Sequence, residues 1–225
     1  MKRSRSARIL VINPNSTVAV TEDIDRALGP LRFADGPEIV CLTLAEGPPG
    51  IETQEHVDSV VEPIRRRVEA EDGNAAAFVI ACFSDPGVTE AREVTAKPVF
   101  GIAESGLMSA MARAGRVGVI AILDASVERH RRFYRARGIE SRVAGELALD
   151  LGVLELAQET VAFARLTEVG TRLRDGFGAE VLVLGCAGMA RYRARLEAAL
   201  GVPVIDPTQA AVAMAIAAVA VEYTS

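Results

Sequence analysis

The sequence predicts an α/β fold of two similar lobes, each a parallel sheet flanked by helices. The lobes are related by a pseudo-twofold axis, and a candidate active site lies in the cleft between them. Three observations carry this expectation. Short runs rich in valine and isoleucine alternate with helix-length segments along the chain, as buried parallel strands alternate with covering helices. The chain also repeats itself: Arg8-Ile9-Leu10-Val11-Ile12 resembles Arg116-Val117-Gly118-Val119-Ile120, and Pro98-Val99-Phe100-Gly101 resembles Pro203-Val204-Ile205-Asp206, at nearly the same offset. Finally, Ala77-Phe78-Val79-Ile80-Ala81-Cys82 and Val181-Leu182-Val183-Leu184-Gly185-Cys186 each run from an apolar strand through one small residue to a cysteine, with small-residue turns following. The carboxyl ends of strands are where such folds place ligands.

In chain order, residues 8–12 read as a strand, followed by a loop through Asn13-Pro14-Asn15. Ser16 or Thr17 is placed to cap a helix to about residue 28. A second strand is expected over 38–44, then the rigid turn Gly47-Pro48-Pro49-Gly50. A helix over 51–71 should kink or break at Pro63. The strand 75–81 leads to Cys82, and Pro86 suits the first turn of a helix over 86–95. A short strand over 98–102 precedes a helix over 104–114, with Gly115 as its stop. A strand over 116–122 is followed by a helix capped by Ser126 and running to about 137. A weak strand over 141–146 precedes a long helix over 152–175. The strand 179–185 leads to Cys186, then come a helix over 190–200, a strand over 202–205 and a helix from Pro207. The repeat divides the chain into an N-terminal lobe of residues 1–97 plus 208–225, carrying Cys82, and a C-terminal lobe of residues 98–207, carrying Cys186.

Composition narrows the function. A net charge of −5 argues against nucleic acid or an anionic membrane as partner, since both call for a basic excess. Residues 1–8 are basic, but the apolar run after them is too short for a signal-peptide core. The apolar tract 210–221 is shorter than the roughly 18 residues of a membrane span. Three cysteines without scaffold spacing fit a reducing cytoplasm. The expected protein is therefore cytoplasmic and acts on a small molecule.

Two thiols facing each other across a cleft have three common uses. Redox exchange favours adjacent cysteines, and these lie far apart in sequence. Metal binding needs more ligands, and neither His56 nor His130 has ligand-like spacing to a cysteine, so no metal is expected. Proton transfer at carbon needs one thiolate and one thiol on opposite faces, which is the arrangement of a racemase or epimerase. A helix N-terminus after each cysteine would lower a thiol pKa from about 8.5 toward neutrality. The competing explanation is that each cysteine is a small core residue closing a strand; the repetition at matched positions favours the functional one.

Asn13-Pro14-Asn15-Ser16, Gly47-Pro48, Ile51-Glu52, Cys82-Phe83-Ser84-Asp85-Pro86-Gly87, Gly101-Ile102-Ala103-Glu104 and Leu184-Gly185-Cys186-Ala187-Gly188-Met189 together resemble the hydantoin racemase branch of the aspartate/glutamate racemase superfamily. The resemblance covers nearly the whole chain. It implies cofactor-independent racemisation by Cys82 and Cys186 of a cyclic ureide such as a 5-substituted hydantoin, with allantoin as the close competitor, and a homo-oligomer. It also brings a cysteine-dependent decarboxylase or isomerase into view; a small-molecule binding module is the non-enzymatic alternative. Backbone N–H groups at Phe83-Ser84 and Ala187-Gly188 are candidate donors to an enolate oxygen. Asn15 and Ser16 are candidate substrate contacts or an Asx turn with a helix cap, and Ile51 is a candidate pocket wall. Ser84 is a candidate for both substrate binding and helix capping. Asp85, Glu52 and Glu104 are assigned to helix starts, Cys41 to packing, and the basic run 129–137 to a solvated helix face. One departure stands out: many relatives carry adjacent threonines where this chain has Ala121-Ile122.

Overall fold

The computed structural model describes residues 7–223; the basic stretch 1–6 lies outside them. Two four-stranded parallel sheets form with the same strand order. The first contains β1 (Arg8–Asn13), β2 (Glu38–Thr43), β3 (Ala77–Ile80) and β4 (Val99–Gly101), arranged β2-β1-β3-β4. The second contains β5 (Val117–Ala121), β6 (Val143–Ala148), β7 (Val181–Leu184) and β8 (Val204–Ile205), arranged β6-β5-β7-β8. The central strands β3, β5 and β7 are buried at every residue, which explains their unbroken apolar runs.

The lobes exchange helices. Helix α5 (Ile102–Met111) leaves the first sheet but packs Ala103, Leu107 and Ala110 on Val117, Val119, Val181 and Val183 of the second. Helix α9 (Pro207–Ala220) leaves the second sheet and packs Ala211, Val212 and Ala215 on Ile9, Val11, Ala77 and Val79 of the first. The two helices pack on each other where Gly106 faces Pro207; a Cβ on Gly106 would sit 2.7 Å from the proline Cβ. The expected lobe boundary at 97/98 is corrected here. Val99–Gly101 pairs with Phe78–Ile80, so residues 98–101 complete the first sheet and the crossover starts at Ile102.

Several element boundaries also move. The segment 51–71 divides into α2 (Gln54–Ser59) and α3 (Val61–Glu71), with the break at Val60. Pro63 thus sits in the first turn of α3, where its missing N–H has no helical partner to lose. Helix α1 (Val18–Ala27) starts after Thr17, whose hydroxyl donates to Pro49 O instead of capping. Helix α4 (Val88–Glu93) starts after Gly87, at φ 67°, so Pro86 lies in the preceding turn. Ser126 does not cap α6 (Asp124–Ala136); Leu123 holds the N-cap position and Ser126 is buried in the first turn. The long helix α7 (Glu159–Phe177) starts later than expected because the N–H groups of Gly152 and Val153 bond to Glu155 and Glu52 side chains. The remaining helix, α8 (Arg193–Leu200), covers the second sheet.

Asp85 does serve a helix start, but that of α5 rather than α4. Its carboxylate accepts from Ala103 N at 2.8 Å and Glu104 N at 2.9 Å. It fits only because residue 101 has no side chain, since a Cβ there would lie 2.2 Å from Asp85 Cγ. Gly101→Ala is expected to cost ~2–4 kcal/mol in urea unfolding by expelling this cap and overpacking the site. Gly29→Ala, where nothing lies within 4 Å of the added carbon, should change stability by less than about 1 kcal/mol. Equal effects would contradict this account of Gly101.

Candidate active site

The two cysteines occupy equivalent positions. Beyond β3, Ala81 N still bonds to Ile12 O at 2.8 Å, and beyond β7, Gly185 N bonds to Ile120 O at 2.8 Å. Each cysteine is the next residue, released from the ladder at the carboxyl end of its sheet. Each then closes a turn with the residue three ahead: Asp85 N donates to Cys82 O at 2.9 Å and Met189 N to Cys186 O at 3.1 Å. Each sulfur also faces the backbone N–H two residues on, Ser84 for Cys82 and Gly188 for Cys186. Gly185 must lack a side chain, since a Cβ would meet Ile120 O at 2.6 Å.

Both cysteines line one narrow cleft between the lobes. Their electrostatics differ from the sequence expectation of lowered thiol pKa values. Burial pushes Cys82 up to about 11 and Cys186 up to about 12, and the N–H groups of Ser84 and Gly188 only partly oppose it. Neither cysteine is followed directly by an α-helix. Cys82 is followed by a turn before the short α4, and Cys186 by a 3-10 segment, Ala187–Tyr192. Negative charge on Cys82 raises Cys186 further, so the two sites interact electrostatically. Cys41 lies in β2, outside the cleft, and burial pushes it up to about 12.

Of the other expected site residues, Asn15, Ile51, Phe83, Ser84, Ala187 and Gly188 line the cleft. Asn15 is buried, and its Oδ1 accepts from Asn13 Nδ2 and Thr17 N, each at 3.0 Å. Two donors on that oxygen fix the amide orientation and leave Nδ2 as the group open to a ligand. The Asx turn and the cleft position therefore hold together. Ser16 is not among the cleft residues: its backbone N bonds to Pro48 O at 3.0 Å in the neighbouring loop. Ser84 does not cap α4; its hydroxyl accepts from Arg129 Nε at 3.0 Å. The backbone N–H groups of Ser84 and Gly188, expected as donors to a substrate oxygen, also act on the sulfurs, favouring their ionised form.

Glu52 is not a helix-start residue. Its Oε1 accepts from Val153 N at 2.9 Å, tying the loop after β2 to the second lobe. Ile51 and Val153, beside this bond, both line the cleft. Glu104 stays away from it, pairing with Arg92 and Arg137, each at 3.5 Å.

Sequence reasoning missed one wall. Ser126, Arg129 and His130 of α6 all face the cleft, although the basic run 129–137 reads as a solvated face. His130 is buried, with Nδ1 2.5 Å from Glu146 Oε1 and its ring edge-on to Phe83; Tyr134 OH donates to Glu146 Oε2 at 2.9 Å. The signal was the spacing: Ser126, His130 and Tyr134 recur every four residues, as a buried helical stripe does. Ile122 also lines the cleft, so an apolar side chain stands there.

Comparison with known proteins agrees with this architecture. Residues 9–215 match the family described as Asp/Glu/Hydantoin racemase. The hydantoin racemase of Pseudomonas sp. (strain NS671) is 38% identical over 213 residues, covering 92% of this chain and 84% of that protein. That of Paenarthrobacter aurescens is 36% identical over 219 residues, covering 96% of this chain and 92% of its own. Among solved structures, the allantoin racemase from Klebsiella pneumoniae superposes with a TM-score of 0.92 at 33% identity, covering 97% of this chain and 90% of that one. Repeated lobes, paired strand-end cysteines and a match along nearly the whole chain place this protein in the Asp/Glu/hydantoin racemase family, and so among the isomerases.

Proposed function

We propose that the protein racemises a 5-substituted cyclic ureide of the hydantoin or allantoin type without a cofactor, using Cys82 and Cys186 as opposed acid and base. The observation that carries this reading is the equivalence of the two thiols: the same place on two equivalent strands, the same backbone N–H partner, one shared cleft.

The chemistry balances within the pair. A thiolate on one face takes the C5 proton, leaving the electron pair delocalised onto the neighbouring carbonyl as an enolate. The opposite thiol then gives its proton to C5 on the other face and becomes the thiolate. The two cysteines have exchanged states, and the next turnover runs the other way. The carbonyl beside C5 acidifies its hydrogen, so no electron sink beyond the substrate is needed. Asn15 Nδ2, the amide group left open to a ligand, is assigned to the substrate carbonyl. Ser84 N–H and Gly188 N–H stabilise whichever sulfur is ionised. Burial raises the Cys82 thiol and the nearby Asp85 charge adds to it, while the Arg129 charge favours the thiolate.

Incubating single enantiomers of a 5-substituted hydantoin and of allantoin in deuterated buffer should give loss of optical rotation with deuterium at C5. Cys82→Ser and Cys186→Ser should each abolish racemisation. Exchange that survives both substitutions would sink the two-thiol mechanism, and no exchange on either compound would sink the ureide assignment. The active form needs one thiolate, and burial pushes both thiols above neutrality, to about 11 and about 12. Deprotonation therefore limits the active fraction at neutral pH, and kcat/KM should climb about tenfold per pH unit from pH 7 until the imide N–H of the substrate itself ionises. A profile that is flat or falls between pH 7 and 8 would contradict the assigned ionisation. Asn15→Asp, which keeps the shape but replaces the donor, should lower kcat roughly 100-fold or more with the fold intact; an unchanged kcat would remove Asn15 from the carbonyl site.

A further inference from the structure

We infer that Arg129 selects the C5 substituent of the substrate, binding a planar oxygen acceptor at its far end, so that the preferred ureides carry a carboxylate or a ureido or carboxamide carbonyl there rather than an alkyl or aryl group. This rests on the ureide reading above and adds a specificity-determining residue to it.

Arg129 is part-buried on the α6 wall of the cleft that holds both cysteines. Its Nε donates to Ser84 Oγ at 3.0 Å and its Nη2 to Ser126 Oγ at 3.2 Å. Both partners are neutral hydroxyls. Of the other arginines of this run, Arg131 is matched by Glu128, Arg135 by Glu140 and Arg137, at the helix end, by Glu104, while Arg132 has no ion pair to a carboxylate among the described residues. Glu146 lies within electrostatic reach of Arg129, but both its oxygens are taken, by His130 and Tyr134. Among the described residues no carboxylate pairs with the Arg129 guanidinium.

A guanidinium does not lose its proton in a protein, so this is a permanent charge in a partly desolvated cleft, with the Cys82 sulfur in electrostatic reach and no carboxylate paired to it. The two serines hold two of its nitrogens and orient the planar fork, leaving Nη1 without a protein acceptor. Such a fork matches a carboxylate or carbonyl oxygen in its plane. Apart from Asn15, assigned to the ring carbonyl, and His130 beside Arg129, the cleft is walled chiefly by apolar side chains such as Val20, Ile51, Ile122 and Val153, which give an acceptor nothing. Polarity on the α6 side is concentrated around Arg129, which directs a polar substituent there.

The test compares 5-(2-carboxyethyl)hydantoin, allantoin and 5-isobutylhydantoin on the wild type and on Arg129→Met, which keeps length without charge. Arg129→Met should lose about 10- to 100-fold in kcat/KM on at least one acceptor-bearing compound, chiefly through KM. The isobutyl compound should lose less, and only through an alkaline shift of the profile that all three compounds share, since the Arg129 charge also favours the Cys82 thiolate. The acceptor compound with the larger loss identifies the substituent as carboxylate or carbonyl. An equal loss on all three would overturn the proposal and confine Arg129 to the Cys82 thiolate. If the methionine variant does not fold, Arg129→Lys serves the same comparison: it retains charge without the fork, and an acceptor-selective KM increase is expected. A wild type inactive on all three compounds would remove the ureide reading itself and this proposal with it, an outcome distinct from activity with uniform loss.

Discussion

Desolvation of two thiols in one cleft is the constraint on which the rest of this structure turns. An exposed thiol titrates near pH 8.5, while burial here moves both well above that. A thiolate that has lost water needs fixed dipoles in its place, and each sulfur has one backbone N–H, two residues along its own chain. That geometry follows from the turn after each strand, where the cysteine carbonyl accepts from the residue three ahead. The local conformation that ends the strand is thus also the one that solvates the sulfur. A desolvated thiolate is a stronger base than a hydrated one, which suits removal of a carbon-bound proton; the cost is a small ionised fraction at neutral pH.

Keeping both thiols in one cleft requires that the lobes hold their positions. The exchange of α5 and α9 makes each lobe's core depend on a helix delivered by the other. The contact of these helices at Gly106 and Pro207 allows no added carbon. Near the cleft, the Glu52 carboxylate holds Val153 N. On another side Asp23 of α1 pairs with Arg191, beyond Cys186. Apolar interlock supplies the bulk of the attachment, and these polar links set the register of the cleft walls.

The sequence revealed what is local and repeated, and little of what is not. Strand, small residue and cysteine recur in order, and buried parallel strands leave unbroken apolar runs, so both lobes and both thiols could be read directly. The boundary at 97/98 was misplaced because β4 is only three residues long and its membership depends on pairing with Phe78–Ile80. Asp85 was assigned to the wrong helix because its partners, Ala103 and Glu104, lie far along the chain. Glu52 bonds to a residue more distant still. Arg129 and His130 were hidden in a run of arginines, where composition says solvent and only the four-residue spacing of Ser126, His130 and Tyr134 says interior. The lowering of both thiol pKa values was argued from nearby helices; their place in the fold decides otherwise, because burial outweighs any nearby helix end.

The most direct measurement of the central claim is a crystal structure with a planar, non-reacting ureide that mimics the enolate, flat at the carbon equivalent to C5. The two-thiol account predicts that the sulfurs of Cys82 and Cys186 lie on opposite faces of that one carbon, each at roughly 3–3.5 Å, the near-attack distance. Both sulfurs on the same face, or a ring bound so that only one sulfur approaches the carbon, would contradict it.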